Sequence, residues 1–144
     1  MKVLVQRALN ASVTVEGEVV GAIDHGQLVL VGIEKGDTEV DVQRLADKLL
    51  KYRMFSDDDG KMNLNVQQAN GGVLLVSQFT LAADTKKGLR PGFSTAAIPA
   101  EGERLFNEFV EKVRAQHSKV ETGRFGADMK VALINDGPVT FMLE

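Results

Sequence analysis

Cysteine is absent from the 144-residue sequence. Its absence excludes disulfides, thiolate metal sites and cysteine nucleophiles, and it is compatible with a reducing compartment. Histidine occurs only as His25, in a turn, and His117, at a predicted helix end. A Ser-His-Asp triad or a metal hydrolase is therefore not expected, and we predict neither a metal nor a cofactor.

An excess of positive charge is also absent, since the net charge is −3. Any contact with nucleic acid would need a local basic patch. No apolar run approaches the ~18 residues of a membrane span, and the N-terminus lacks the apolar region of a signal peptide. We therefore expect a soluble, cytoplasmic protein without a membrane partner, folded as a single domain over residues 1–144.

The motifs of several common enzymes are missing, including the P-loop, G-x-G-x-x-G, H-E-x-x-H and G-x-S-x-G. The acidic run Ser56–Gly60 is not a calcium loop, because the first and twelfth positions would be Phe55 and Val66, neither of which is a ligand. The remaining possibility is a reaction that needs little from side chains. Hydrolysis of an activated ester fits, because backbone N–H groups can stabilise the oxyanion and binding can fix the geometry.

Strand patterns dominate the chain. Apolar alternation or short apolar runs predict strands at Lys2–Ala8, Ser12–Glu16, Val19–Ile23, Gln27–Ile33, Lys119–Thr122 and Met129–Ile134. Apolar stripes at helical spacing predict helices over Thr38–Tyr52, with Thr38 as the N-cap, and Pro99–His117. The sequence therefore predicts the α+β class, with a mainly antiparallel sheet or barrel-like core covered by two amphipathic helices.

One apolar run is predicted to be the central strand. Val73–Leu81 follows the turn signal Asn70–Gly72 and begins with four apolar residues, which is typical of a strand buried on both faces. Polar side chains appear towards its end, at Ser77, Gln78 and Thr80. Such a strand end often delivers side chains or backbone N–H groups to a site. The alternative is that these residues only hydrogen-bond neighbouring backbone.

Two further features stand apart from the predicted core. Gly137-Pro138 interrupts an apolar strand pair near the C-terminus, which is typical either of a functional position or of a simple Asn-Asp-Gly-Pro turn. Lys86, Lys87 and Arg90 (the basic cluster) lie in the loop after the central strand, with Phe93 close behind. This combination suits a phosphate and a base at a nucleic-acid end, although charged loops are usually only solvated.

Several runs resemble those of the D-aminoacyl-tRNA deacylases. The two signature runs are Ser77-Gln78-Phe79-Thr80-Leu81 and Asn135-Asp136-Gly137-Pro138-Val139-Thr140. Shorter similar blocks are Met1–Ala8 with Arg7, Met62–Leu64, Lys87–Pro91 with Phe93, and Phe125–Met129. The resemblance covers essentially the whole chain, and the signature runs occur in order and without departure.

The resemblance implies a homodimeric editing enzyme that cleaves the ester between a D-amino acid and the 3′-terminal adenosine of tRNA. It also implies removal of glycine mischarged on tRNA. The Gly137-Pro138 peptide would be cis and would enter the active site of the other subunit to read chirality. Backbone N–H groups of Phe79 and Thr80 would be the oxyanion donors, beside Ser77 and Gln78.

Physical chemistry supports these implied roles. Fixed carbonyls can accept hydrogen bonds from the substrate ammonium group, so that an L side chain would point into backbone that cannot move aside. Glycine has no side chain and would pass, so selectivity would come from rejection of L-substrates. Arg7, otherwise a solvated strand-end residue, is expected to hydrogen-bond near Gly137-Pro138 and hold its carbonyls.

The remaining roles are open in the sequence. A Thr80 nucleophile would need an activating base, and none is evident, so we favour water assisted by the ribose 2′-hydroxyl, with Thr80 and Gln78 shaping the pocket. Phe125 and Met129 either pack around the terminal adenine or belong to the core. Two alternatives remain, namely a non-catalytic RNA-end binding module using the basic cluster and Phe93, and a structural dimer.

Overall fold

A computed structural model describes residues 1–144 of the chain. It contains eight strands, two helices and one 3-10 turn. In chain order these are β1 (Lys2–Val15), β2 (Glu18–Ile23), β3 (Gly26–Gly32), α1 (Glu39–Lys51), β4 (Phe55–Ser56), β5 (Met62–Leu64), β6 (Gly72–Ser77), the 3-10 turn (Phe79–Ala82), α2 (Pro99–Arg114), β7 (Val120–Thr122) and β8 (Lys130–Leu143).

The long strand β1 organises the main sheet, which has six strands. One edge of β1 pairs antiparallel with β8. The other edge pairs antiparallel with β3 along Lys2–Ala8 and with β2 along Ala11–Val15. Strand β6 joins β3 in parallel, and β7 joins β6 in parallel, so the sheet is mixed.

The strands at the two ends of this order, β2 and β7, approach each other closely. A Cβ at Gly21 in β2 would lie 2.3 Å from the carbonyl oxygen of Thr122 in β7, so only glycine allows this approach. The sheet is therefore a nearly closed, barrel-like structure. The predicted α+β class, with a barrel-like core and two helices, is confirmed.

Apolar cores lie on both faces of the sheet. Both helices bury their apolar stripes against one face, in a cluster that includes Val29, Leu45, Leu75 and Phe109. A second cluster lies on the other face and consists of Ala8, Ala11, Val13, Val15, Leu28, Leu74 and Val76. Strand β6 contributes to both clusters, which explains its continuous apolar run.

The start of α1 agrees with its sequence signal, whereas the end of α2 does not. The backbone N–H of Thr38 donates to Asp41 Oδ2 at 2.9 Å, which confirms the predicted N-cap of α1. Helix α2 ends at Arg114, earlier than predicted. His117 lies beyond it, with Nε2 2.8 Å from the carbonyl oxygen of Gly71. Neither helix is long and apolar enough to span a membrane.

The prediction that the central strand continues to Leu81 is wrong. Strand β6 ends at Ser77, opposite Val31 of β3, and the chain then turns into the 3-10 segment. The last bond to β3 runs from the Gln78 N–H to the Val31 carbonyl at 2.8 Å. Strand β3 itself ends at Gly32, so the apolar residues that follow Gln78 have no ladder to join.

A turn at Asn135–Pro138, which the sequence left open, does not form. Strand β8 runs without a break through this segment and stays paired with β1 on both sides of it. Two register shifts opposite Gln6–Asn10 accommodate the residues that cannot join the ladder. The Gly-Pro segment is therefore a bulge within an edge strand.

The terminal ammonium group of Met1 is held by two carboxylates. Its nitrogen lies 2.7 Å from Glu34 Oε1 and 2.8 Å from Asp37 Oδ1. Burial lowers the pKa of this ammonium, but its hydrogen bonds to Asp37 and Glu34 and their negative charges outweigh that effect. The pKa therefore lies above its ordinary value of 8.0.

This ion pair predicts a pH-dependent stability. Because the folded-state pKa is raised, the contribution is complete below the unfolded-state value and is lost as pH rises through the folded-state value. The free energy of unfolding of the wild type, measured in urea between about pH 7 and 10, should fall more steeply than that of Asp37→Asn. Parallel curves for the two proteins would contradict this account.

A second prediction concerns Gln27 in β3, which is fully buried. Neither Nε2 nor Oε1 of its carboxamide has a hydrogen-bond partner. Because such a group costs ~1–3 kcal/mol, we expect Gln27→Met to raise the free energy of unfolding by about 1 kcal/mol. Urea unfolding at one fixed protein concentration measures this change.

The matched control for this substitution is Gln43→Met in α1. The Gln43 carboxamide donates to Asp47 Oδ1 at 2.9 Å, so its replacement should bring no gain in stability. Destabilisation of Gln27→Met by 1 kcal/mol or more, on the order of a lost hydrogen bond, would show that the carboxamide is bonded after all.

Candidate functional site: a cleft at the end of the parallel strands

A cleft of about 680 Å³ opens where β3 and β6 end. Its walls are the ends of these strands, the segment 93–99 with the first turn of α2, and the segment 125–131. Six residues singled out in the sequence line it, namely Ser77, Gln78, Phe79, Phe93, Phe125 and Met129. The volume is in the range of small-molecule sites.

Two backbone donors are free at this strand end. The 3-10 turn uses the N–H groups of Leu81 and Ala83, which donate to the carbonyls of Gln78 and Thr80 at 3.2 and 3.1 Å. The N–H groups of Phe79 and Thr80 come first in the turn and donate to no acceptor within the chain. Unused N–H groups at such a start are available for an anionic oxygen.

The hydrogen bond to the Thr80 side chain, next to these donors, involves no acid or base. Thr80 does not line the cleft, but Gln78, which does, donates a hydrogen bond from Nε2 to Thr80 Oγ1. No carboxylate, imidazole or amine contacts the Thr80 hydroxyl. This side chain therefore has no partner within the chain that could activate it as a nucleophile.

Aromatic residues form part of the cleft wall. The rings of Phe79 and Phe93 lie with centroids 5.1 Å apart, and these residues are 60% and 42% exposed. Phe125 faces the cleft and also packs on Phe106 of α2, at 6.1 Å between centroids. Met129 likewise lines the cleft and packs against the second core. Phe125 and Met129 therefore line the cleft and also pack against the cores.

Strand β8 presents Gly137 and Pro138 to solvent, joined by a cis peptide bond. Arg7 holds this segment, because its Nε donates to the Asp136 carbonyl at 3.0 Å. Its Nη1 donates to the Met54 carbonyl, also at 3.0 Å, which ties the segment to the chain after α1. The hydrogen bond that was expected for Arg7 is therefore present.

A second set of bonds closes the segment from the other side. The Val139 N–H donates to Asn135 Oδ1 at 2.6 Å, and Asn135 Nδ2 donates to Thr140 Oγ1 at 3.0 Å. Gly137 has φ +145°, and a Cβ there would lie 2.6 Å from Val139 Cγ2. Only glycine therefore fits at this position.

Within one chain the Gly-Pro segment is far from the cleft, and neither of its residues lines it. Arg7 pairs with Gln27, whereas Ser77 pairs with Val31, four residues further along β3. Three strand spacings also separate β8 from β6. Together these offsets amount to roughly 15–20 Å.

The outer edge of β8 is the other notable feature of this strand. The strand pairs only with β1, so its outer edge has no partner in the chain. Three large apolar residues on it are exposed, namely Val131, Ile134 and Met142. A long edge strand with apolar side chains is typical of a surface that pairs with another chain.

The basic cluster lies outside the cleft. Lys86, Lys87 and Arg90 are exposed and form no ion pair; two backbone bonds between Asp84 and Gly92, at 2.7 and 3.1 Å, close the base of their loop. The loop follows the 3-10 turn directly, so it flanks the cleft. No group of three or more His, Asp or Glu side chains that could hold a metal comes together in the structure.

Sequence reasoning missed part of the cleft, including Lys35, Ile98, Pro99 and Gly102. A signal for Lys35 existed, because it follows β3, and strands that pair in parallel end at the same edge. That signal depends on knowing that β3 pairs with β6, which the sequence did not reveal.

Comparisons with known proteins agree with this structure. The family model described as D-Tyr-tRNA(Tyr) deacylase matches residues 4–144. A protein named D-aminoacyl-tRNA deacylase from Marinomonas sp. (strain MWYL1) is 85% identical over 144 residues and covers 100% of both chains. One of the same name from Saccharophagus degradans is 64% identical over 143 residues and covers 99% of both.

Two solved structures share the fold. One titled c-Myc DNA Unwinding Element Binding Protein has a TM-score of 0.96 at 41% identity, covering 100% of this chain and 98% of that one. One titled as a probable eukaryotic D-amino acid tRNA deacylase has a TM-score of 0.83 at 17% identity, covering 99% and 97%, which shows the fold alone.

The fold and the matched names define the class as ester hydrolases of the deacylase type. The chain belongs to the D-Tyr-tRNA(Tyr) deacylase family, which confirms the resemblance based on the two signature runs.

Proposed function

We propose that the protein hydrolyses the ester between a D-amino acid and the 3′-terminal adenosine of tRNA, and that it acts in the cytoplasm. The observation that carries this proposal is the pair of unused N–H groups at Phe79 and Thr80 beside the cleft, where no acid or base is hydrogen-bonded to the Thr80 hydroxyl. Family membership and the names of the similar proteins support the same substrate.

The reaction needs little side-chain chemistry because an aminoacyl ester is already activated. Water attacks the ester carbonyl carbon, and the carbonyl oxygen becomes an oxyanion that accepts hydrogen bonds from the N–H groups of Phe79 and Thr80. The intermediate collapses with cleavage of the bond to the ribose 3′-oxygen, which takes up a proton. The products are free amino acid and tRNA. One such donor is worth ~3 kcal/mol in the transition state.

The attacking water is positioned by the substrate in this proposal. The Thr80 hydroxyl is hydrogen-bonded to Gln78 and has no base beside it, so Thr80 shapes the pocket through Gln78, which lines the cleft. The ribose 2′-hydroxyl of the terminal adenosine is then the polar group next to the ester. Substrate-assisted attack agrees with the absence of a base hydrogen-bonded to the Thr80 hydroxyl, since Asp128, the carboxylate that lines the cleft, pairs with Lys130.

The aromatic side chains and the basic cluster contact different parts of the nucleic acid, namely the terminal base and the phosphates. The exposed rings of Phe79 and Phe93 and the partly buried Phe125 and Met129 form a site for the adenine, since every base presents a face for stacking. The basic cluster beside the cleft contacts phosphates of the acceptor end. Such contacts position the tRNA without reading its sequence.

Chirality is read, we propose, by Gly137-Pro138 of a second copy of the chain. The segment is exposed and held by Arg7, yet lies roughly 15–20 Å from the cleft of its own chain by strand spacings. The unpaired edge of β8 and its exposed apolar residues supply a surface for a partner. A two-fold symmetric homodimer would complete both clefts.

In such a dimer the carbonyls of the segment accept hydrogen bonds from the substrate ammonium group. An L side chain then meets backbone that Arg7 and Asn135 hold in place. A D side chain points away, and glycine has none, so both are cleaved. The enzyme would therefore be indifferent to the identity of the D-amino acid.

A second candidate function is a non-catalytic module that binds nucleic-acid ends. The basic cluster and the exposed Phe79–Phe93 pair favour it, and the name of one similar solved structure describes DNA binding by that protein. Release of D-tyrosine from D-Tyr-tRNA in large molar excess over enzyme distinguishes the two. Turnover supports the deacylase, whereas binding without product supports the module.

Backbone catalysis predicts a difference between two substitutions of Phe79. Phe79→Ala and Phe79→Pro both remove the ring, but only proline also removes the N–H group, and the first position of a helical turn tolerates it. The single-turnover rate on D-Tyr-tRNA should be ~10²–10³-fold lower for Phe79→Pro than for Phe79→Ala.

The proposed water attack also predicts the effect of removing the Thr80 hydroxyl. The single-turnover rate of Thr80→Val should stay within about tenfold of the wild-type rate, because the hydroxyl is not the nucleophile.

Equal rates for the two Phe79 variants would contradict the backbone mechanism. Loss of several orders of magnitude in Thr80→Val would contradict the water mechanism and favour a threonine nucleophile. Circular dichroism and thermal unfolding of each variant report whether the fold is retained.

The Arg7 hydrogen bond predicts a loss of chiral selectivity. Arg7→Ala frees the Asp136 carbonyl and lets the neighbouring backbone move, so the ratio of rates on D-Tyr-tRNA and L-Tyr-tRNA should fall ~10-fold. Arg44→Ala is the matched control, since Arg44 is exposed on α1 and bonds only to Glu144 and Asp41. An unchanged ratio in Arg7→Ala would count against this role.

A further inference from the structure

Lys35 is the one lysine or arginine that lines the cleft. Lys35 follows β3 and is exposed. Backbone hydrogen bonds to the segment 95–97 fix the position of its main chain. Its backbone N–H donates to the Thr95 carbonyl at 3.0 Å, and the Ala97 N–H donates to the Ile33 carbonyl at 3.1 Å. The turn that carries Lys35 is therefore joined to the segment 95–97 at the mouth of the cleft.

The acidic groups around Lys35 are engaged elsewhere. Glu34 and Asp37, which flank it in the chain, hold the Met1 ammonium group at 2.7 and 2.8 Å. Asp128, the only carboxylate that lines the cleft, pairs with Lys130 at 3.1 Å. The Lys35 ammonium group has no hydrogen bond and no ion pair, so it is available to a ligand in the cleft.

The size of the cleft indicates which part of the substrate meets this charge. About 680 Å³ suits an aminoacyl-adenosine and leaves the rest of the tRNA outside. The first group beyond the adenosine is the phosphate on its 5′-oxygen. Lys35 lines the cleft and the basic cluster does not, so Lys35 is the cation placed to meet this phosphate at the cleft itself.

We propose that Lys35 binds the phosphate that links the terminal adenosine to the preceding nucleotide. The contact would place the adenosine at a fixed depth in the cleft and bring the ester to the N–H groups of Phe79 and Thr80. A lysine acts there as a point charge, so the contact holds any tRNA equally. This inference rests on the proposed function, because it assumes an aminoacyl ester of adenosine in the cleft.

Two small substrates that differ by one phosphate test the assignment. They are the 3′-O-D-tyrosyl esters of adenosine and of adenosine 5′-monophosphate, used beside D-Tyr-tRNA. Lys35→Met should lower kcat/KM about tenfold on the monophosphate ester and on tRNA, through KM, because a charged hydrogen bond is lost. It should leave kcat/KM on the adenosine ester unchanged, and Lys35→Arg should restore most of the loss.

Salt dependence provides a second measurement on the same proteins. The plot of log kcat/KM against log salt concentration for D-Tyr-tRNA has a negative slope. Its magnitude should be smaller by about one in Lys35→Met than in the wild type, as expected for the loss of one phosphate contact. Lys48→Met is the matched control. Lys48 is exposed in the last turn of α1 and does not line the cleft, so both slope and kcat/KM should equal those of the wild type.

The outcomes separate this inference from the function on which it rests. Wild-type protein that cleaves none of the three esters overturns the proposed function. Wild-type turnover with an equal response of Lys35→Met on both small esters overturns the phosphate contact alone. An equal loss on both would assign Lys35 to the adenosine or the fold, and no loss on either would leave it outside the substrate's reach.

Discussion

The parallel pairing of β3 with β6 is the constraint on which the rest of the structure depends. Because parallel strands end at the same edge, Val31 and Ser77 stand side by side and the segments after them diverge. One continues into the turn that carries Lys35, and the other into the 3-10 turn. The cleft is the space between these two exits, so its position follows from strand pairing rather than from any single side chain.

The end of β6 also explains how a chain with two histidines and no cysteine can offer the catalytic site that we propose. If the strand continued past Ser77, its N–H groups would donate hydrogen bonds to a neighbouring strand. Because the ladder stops at the bond from Gln78 to Val31, the next two N–H groups stay free. In the mechanism proposed above, these main-chain groups stabilise the oxyanion, while water is the nucleophile and the ribose 2′-hydroxyl assists its attack.

The sequence predicted the elements better than their connections. Apolar periodicity located both helices and the buried strand, and Thr38 was recognised as a cap, because these features depend on neighbouring residues. The end of β6 and the course of β8 were not predictable in this way, since they depend on which strands lie alongside. Lys35 was missed for the same reason.

Gly137 shows how little change this architecture tolerates at one point. The residue combines φ +145° with a space that a Cβ would close, 2.6 Å from Val139 Cγ2. Every single-base change in a glycine codon that alters the amino acid introduces a Cβ. No amino acid that a single-base substitution can introduce therefore fits at this position. A lineage that loses Gly137 must regain it by reversion or change the strand around it.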